Sequence, residues 1–220
     1  MLLSLSVFGA SAADYQYELF NENDGFPSSI IFSVVQDKDG FLWFGTGYNG
    51  ILRYDGKNVV TFQHDPEDLN SLPNDNAGNI ALDSQGRLWI GSWGGGVIKF
   101  DRKSQLFTHY EYSPNDPSKA NDIYIQSVFE DSNNIMWFGG RSRGLSKFDS
   151  SNQIFEQLPI KNSESDGVSD ARIWDIAQSE PNALWIATGY GLNRLNTITS
   201  QFSHLFPEPD APSSTLNKIR

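Results

Sequence analysis

Short apolar runs follow one another along the chain, each broken by Gly, Pro, Asn, Asp or Ser, with no long stretch of helical period between them. The runs recur in fixed order. The first of each set is Ile31–Val35, Ala77–Ala81, Ile125–Phe129 and Ile173–Ala177. The second carries Trp43, Trp89, Trp137 or Trp185, in the phrases Leu42-Trp43-Phe44-Gly45, Leu88-Trp89-Ile90-Gly91, Met136-Trp137-Phe138-Gly139 and Leu184-Trp185-Ile186-Ala187. The third is Ile51–Tyr54, Val97–Phe100, Leu145–Phe148 or Leu192–Leu195, and the fourth holds Phe62, Phe107, Phe155 or Phe202. Four short strands joined by tight turns make an antiparallel meander. A repeat with a period in the high forties and four strands per unit predicts a β-propeller blade. A leucine-rich repeat would be shorter, and a sandwich would not repeat its sequence.

Six residues before each tryptophan stands Asp37, Asp83, Asp131 or, in the fourth unit, Ser179. The turn after it ends in Gly or Asn, which suits a positive φ, and the Asp carboxylate can cap it. The regularity of Trp43, Trp89, Trp137 and Trp185 assigns them to packing between blades. The Asp turns are short, lack a regular series of ligands and recur with the fold, so they are read as turn caps and no metal site is expected. The blades are placed at approximately 28–70, 71–118, 119–167 and 168–214. Tyr15–Phe20 is read as an extra strand, and 215–220 as the start of a fifth blade. The all-β chain is therefore expected to be part of a larger, about seven-bladed propeller, with its remaining blades beyond Arg220.

Composition adds little to the fold but narrows function. A net charge of −11 opposes a nucleic-acid backbone. Zero cysteines exclude disulfides and thiolate chemistry. His64, His109 and His204 all fall on or beside the outer strand and do not resemble a catalytic or metal cluster. At the start of the chain, residues 1–9 are short and apolar, and Ala10-Ser11-Ala12 has the small-x-small form of a signal-peptide cleavage site. Residues 1–12 are thus read as an export signal, which places residues 13–220 outside the cytoplasm.

The phrases Gln36–Thr46, Arg53-Tyr54-Asp55-Gly56, Ser71-Leu72-Pro73-Asn74 and Gly86–Gly91 resemble the two-component regulator propeller repeat, over roughly residues 15–220. The fourth unit departs from the pattern at Ser179, Pro181-Asn182 and Ala187. The resemblance implies a periplasmic sensor region of an inner-membrane receptor. The implied output is a histidine kinase, often a hybrid, or a diguanylate cyclase, and the implied state is a dimer. The region itself would be non-catalytic and would need no cofactor. An exported propeller lyase or glycosidase, or a scaffold or adhesion propeller, are the alternatives.

A sensor ligand should touch the positions that differ between units. The loops after the tryptophan strand differ most and offer Tyr48, Trp93, Arg141, Arg143 and Tyr190 on one face, with Trp174 on an inner strand facing the channel. Aromatic planes stack on sugar rings, and arginine forks hold carboxylate or sulfate. These residues are expected to bind a small-molecule or saccharide-like ligand; the alternative is ordinary contact between blades.

Overall fold

The computed structural model describes residues 20, 22, 25–27, 30–113, 115–161 and 166–206. The expected export signal and the expected fifth-blade strand lie outside the described residues, as does the expected Tyr15–Phe20 strand apart from Phe20.

Sixteen strands form four four-stranded antiparallel sheets, each in sequence order. The first holds β1 (Ile31–Gln36), β2 (Leu42–Thr46), β3 (Ile51–Tyr54) and β4 (Val59–Phe62). The second holds β5 (Ala77–Leu82), β6 (Leu88–Ser92), β7 (Gly96–Asp101) and β8 (Leu106–Tyr110). The third holds β9 (Ile125–Glu130), β10 (Met136–Gly140), β11 (Leu145–Asp149) and β12 (Ile154–Gln157). The fourth holds β13 (Ile173–Glu180), β14 (Ala183–Thr188), β15 (Gly191–Asn196) and β16 (Phe202–Leu205). The inner strands β1, β5, β9 and β13 touch in series, as in propeller blades.

Strand alternation sends neighbouring side chains to opposite faces, so each sheet has two apolar faces. Trp43, Ile51 and Leu72 meet Ile80, Leu88, Ile90, Ile98 and Phe100 between the first and second sheets. Trp89 meets Ile125, Phe138 and Phe148 between the second and third, and Trp137 meets Ile173, Leu184, Ile186 and Leu195 between the third and fourth. The core therefore lies between blades, led each time by the tryptophan of the preceding one. Trp43, Trp89 and Trp137 are 1%, 1% and 2% exposed. Trp185 is only half-buried, because β14 sends it to the face turned away from the third sheet. Across the strand pair, Arg53 and Lys99 lie over the rings of Trp43 and Trp89, each 5.7 Å from the ring centre.

The Asp turns do more than the sequence indicates. One oxygen of Asp37 accepts the amides of Asp39 (2.9 Å) and Phe41 (3.0 Å), which caps the turn. The other accepts the Trp43 indole N–H at 2.8 Å. Asp83 holds Trp89, and Asp131 holds Trp137, at the same 2.8 Å. In the fourth unit Ser179 Oγ accepts the Trp185 indole at 3.0 Å. Burial pushes the Asp37 carboxyl up. The Trp43 and backbone hydrogen bonds and the Arg102 guanidinium outweigh it, and the carboxyl sits below its ordinary value.

Polar clasps join the blades on this side. Arg102 reaches from the β7–β8 turn to Asp37 and donates to Gly86 O at 2.6 Å. Glu130 accepts the Ser84 amide (2.7 Å) and hydroxyl (3.0 Å). At the next junction Gln178 occupies the place of Glu130. It accepts the Ser132 amide at 2.8 Å and donates to the Ser132 hydroxyl at 2.9 Å.

Burial pushes the Glu130 carboxyl up, and the Ser84 hydrogen bonds only partly counter it. A raised folded-state value means that Glu130 contributes stability below its ordinary value of 4.5, and that this contribution is lost as pH rises through the folded value. Glu130→Gln should therefore leave the fold unchanged or up to about 1 kcal/mol more stable at neutral pH, with the gain vanishing in acid. Urea denaturation of both proteins across the acid-to-neutral range checks it; a variant less stable at neutral pH would contradict the account.

Candidate functional site

The opposite rim is built from two sets of loops. After the second strand of each sheet, the amide of Gly47, Trp93, Arg141 or Gly189 donates to the carbonyl of Ile30, Asn76, Tyr124 or Arg172, at 2.9, 3.2, 2.9 and 2.9 Å. Each acceptor lies just before an inner strand. Each loop also leans on the next blade. Gly50 N donates to Asp75 O (2.9 Å), Gly94 N to Ile123 O (2.9 Å) and Gly144 N to Ala171 O (2.8 Å). Gly50 and Gly96 close these loops at φ of 66° and 70°, where a side chain would be strained.

Every inner strand carries a β-bulge at one repeat position. The register steps over Phe32 in β1, Gly78 in β5, Gln126 in β9 and Trp174 in β13. A bulge re-aims the extra residue out of the ladder. Its consequences join several of the expected residues. Phe32 lies 5.6 Å from the Trp93 ring, and a Cβ placed on Gly78 would meet Trp93 at ordinary van der Waals distance. Trp93 pairs through its backbone with Tyr124, and the Arg141 guanidinium sits 5.9 Å over the Tyr124 ring. In the fourth sheet Arg172 lies 5.5 Å over Trp174, which is 51% exposed. The result is an aromatic and cationic belt running over all four blades.

Buried Asp122 fixes the arginine loop. Its Oδ2 accepts the amides of Ser142 (2.7 Å) and Arg143 (2.9 Å), and its Oδ1 accepts the Tyr124 amide (3.0 Å). Arg143 stacks 5.6 Å over Tyr112 and donates to its hydroxyl at 2.8 Å. Asp170 accepts the Arg172 amide at 2.7 Å, the same arrangement one blade on.

Trp93, Arg141 and Trp174 are thus in the belt, and Arg143 is on its outer side. Tyr48 is exposed, with no ring partner among the described residues, and Tyr190 turns to Phe206 at 5.3 Å. Phe32, Tyr124, Arg172 and Asp122 were not legible as members. Their signal is faint but present: Phe32 shares a repeat position with Trp174, and Tyr124 with Arg172. A hollow of about 200 Å³ at the first sheet is lined by Glu22, Gly25, Phe26, Pro27, Asn49, Thr61 and Gln63, none of them in the belt. Among the described residues no group of three or more His, Asp or Glu is placed to hold a metal.

The sequence profile of the two component regulator propeller matches residues 25–48, 71–94 and 118–142. No curated protein matches the chain. Among solved structures, the chain is similar to the extracellular domain of a protein assigned as a hybrid two component system in B. thetaiotaomicron. The TM-score is 0.75 at 21% identity, over 86% of this chain and 26% of that one. An extracellular domain assigned to a one component system of the same organism gives 0.64 at 23% identity, over 81% and 25%. Virginiamycin B lyase from Staphylococcus aureus gives 0.64 at 19%, over 84% and 59%. At these identities the likeness is one of fold, and the chain spans about a quarter of the length of the two B. thetaiotaomicron domains. The chain folds as β-propeller blades, the first three of which carry matches to the two component regulator propeller repeat.

Proposed function

We propose that this segment belongs to the extracytoplasmic ligand-sensing region of a membrane-bound signal-transduction receptor, a two-component sensor kinase or diguanylate cyclase. It performs no chemistry of its own. The carrying observation is the belt. On a scaffold whose other positions repeat, the side chains that vary between blades gather on one rim and present exposed rings and guanidinium groups. The repeat family and the fold neighbours support the same reading. Residues 1–12 would direct export to the periplasm. Further blades of the same propeller would cover the face bearing Val34, which is 55% exposed, and the face bearing Trp185. The receptor would act as a dimer. The lyase alternative has less support, because the carboxylates at repeat positions are engaged in capping turns.

The test is output from the full-length protein in its host. A reporter of the regulated response is measured while a panel of saccharides and small organic acids is supplied. One or more should induce, and Arg141→Ala with Arg143→Ala should abolish induction without changing protein level. Induction that is unchanged in the double variant would remove these two residues from the site. Turnover of any panel member by the purified protein would favour the enzyme reading.

A further inference from the structure

Two residues beyond the phenylalanine of each outer strand, one repeat position holds His64, His109, Gln157 and His204. In the first three blades this side chain meets backbone carbonyls. His64 Nδ1 faces Leu72 O at 2.7 Å, His109 Nε2 faces Ser71 O at 2.8 Å, and Gln157 Nε2 donates to Leu145 O at 2.9 Å. Among the described residues each of these two histidines meets one acceptor, which a neutral imidazole satisfies with its single N–H.

His204 is placed differently. Its ring stacks on Phe202 and Phe206, and its side chain is 9% exposed. Nδ1 lies 2.7 Å from Asn193 Oδ1, and Nε2 lies 3.0 Å from Asp166 Oδ1. Asn193 cannot turn its amide nitrogen to the ring. Its Oδ1 already accepts the Ser169 amide (2.9 Å), and its Nδ2 donates to the Ser169 hydroxyl (2.8 Å). Both ring nitrogens of His204 therefore face acceptors. Only the imidazolium donates at both; a neutral ring would turn a lone pair toward Asn193 or toward the Asp166 carboxylate. The His204 hydrogen bond in turn holds the Asp166 carboxyl below its ordinary value of 3.8. Lys161 Nζ, 3.5 Å from the same oxygen, is the other charged group at the pair among the described residues.

The pair ties the segment between β12 and β13 to the outer strand β16, where Asp166 also accepts the Phe202 amide at 3.3 Å. A few residues on, the Ser169 hydroxyl donates to Tyr190 O at 2.7 Å and Asp170 holds the Arg172 amide. The same segment thus leads from the pair to Arg172 and Trp174 on the rim.

We infer that His204 and Asp166 form a proton-dependent latch on this segment, closed while the ring carries both protons and released when it loses one. The inference stands apart from the sensing reading above.

Hydrogen–deuterium exchange of the purified full-length ectodomain, read by mass spectrometry at about pH 5 and about pH 8, spans the range in which histidine changes charge. After correction for the intrinsic pH dependence of exchange, amides of Gly167–Arg172 should exchange at least about threefold faster at the higher pH, a size suited to an ion pair with one partner half-exposed. Amides of Ser71–Asn76, which lead into the second blade and face His109 through a carbonyl, should show no such contrast. His204→Gln should abolish the contrast, because glutamine has no proton to lose. Asp166→Asn should abolish it with the segment protected at both pH values, since an amide can accept from the charged ring or donate to the neutral one. If His204→Gln does not fold, Asp166→Asn decides alone. The absence of a contrast in the parent protein, or an unchanged contrast in either folded variant, would overturn the inference.

Discussion

Gly45→Ala is expected to cost about 3 kcal/mol of stability or more, for a change of one methyl group. A Cβ at this position would sit 2.6 Å from the carbonyl oxygens of both Ala77 and Gly78 and 2.7 Å from Ser33 Oγ. Two of those atoms are backbone of the neighbouring inner strand, and Ser33 is itself engaged with that strand, donating to Gly78 O and accepting from Ile80 N at 3.0 Å each. Nothing nearby can yield without separating the first blade from the second. The same position in the next two units shows the same crowding, with Ile125 Cγ2 at 2.8 Å from Gly91 and Ile173 Cγ2 at 2.6 Å from Gly139. These glycines serve by lack of volume, since the close approach of the next blade's inner strand leaves no room for a side chain. Ala187 in the fourth unit shows that the motif accepts a methyl group where no described blade packs against it. Urea denaturation measures the effect, with Ala187→Gly as the companion, expected to change stability by about 1 kcal/mol or less. A Gly45→Ala protein within about 1 kcal/mol of the parent would mean that the blades can slide apart at little cost.

The comparison also shows why the repeat was legible and the belt was not. Trp43, Trp89 and Trp137 recur with their turns because each meets the same surroundings: a following sheet, a capping carboxylate and a close glycine. Periodicity in the sequence is a direct trace of that repeated environment. The Asp–indole bond went unread because the two residues are six apart, and only the pairing of β1 with β2 and its later counterparts brings them together. The belt is harder still. Its members are the residues that do not repeat, so no period marks them, and they come from different places in the unit. Phe32 and Trp174 stand on bulges, Trp93 and Arg141 on loops after the second strand, and Tyr124 and Arg172 before an inner strand. Side-chain type alone pointed to Trp93, Arg141 and Trp174. It pointed equally to Arg143, which reaches Tyr112, to Tyr48, which is exposed, and to Tyr190, which turns to Phe206.

Asp131→Ala should be nearly as damaging as the glycine change, with a loss of about 3 kcal/mol. The carboxylate serves three donors at once: the Asn133 amide (2.8 Å), the Ile135 amide (3.1 Å) and the Trp137 indole (2.8 Å). Trp137 is 2% exposed, so its N–H cannot turn to water when the acceptor is removed. A buried donor left unsatisfied costs roughly 1–3 kcal/mol, and hydrogen bonds to a charged acceptor are stronger than neutral ones. Unlike Asp83, which also pairs with Arg87, Asp131 makes no ion pair among the described residues, so its loss is free of that complication. The fourth unit provides the graded variant. Ser179 keeps the indole bond at 3.0 Å and, among the described residues, accepts no bond from the turn amides that follow it. Asp131→Ser should therefore fall between parent and alanine, preserving the indole bond and giving up the two amide caps. Urea denaturation followed by tryptophan fluorescence reads all three proteins. If the serine variant is as unstable as the alanine one, the indole bond contributes nothing and the turn alone is what Asp131 holds. If both match the parent, the carboxylate is dispensable, and its recurrence at Asp37, Asp83 and Asp131 needs a cause other than stability.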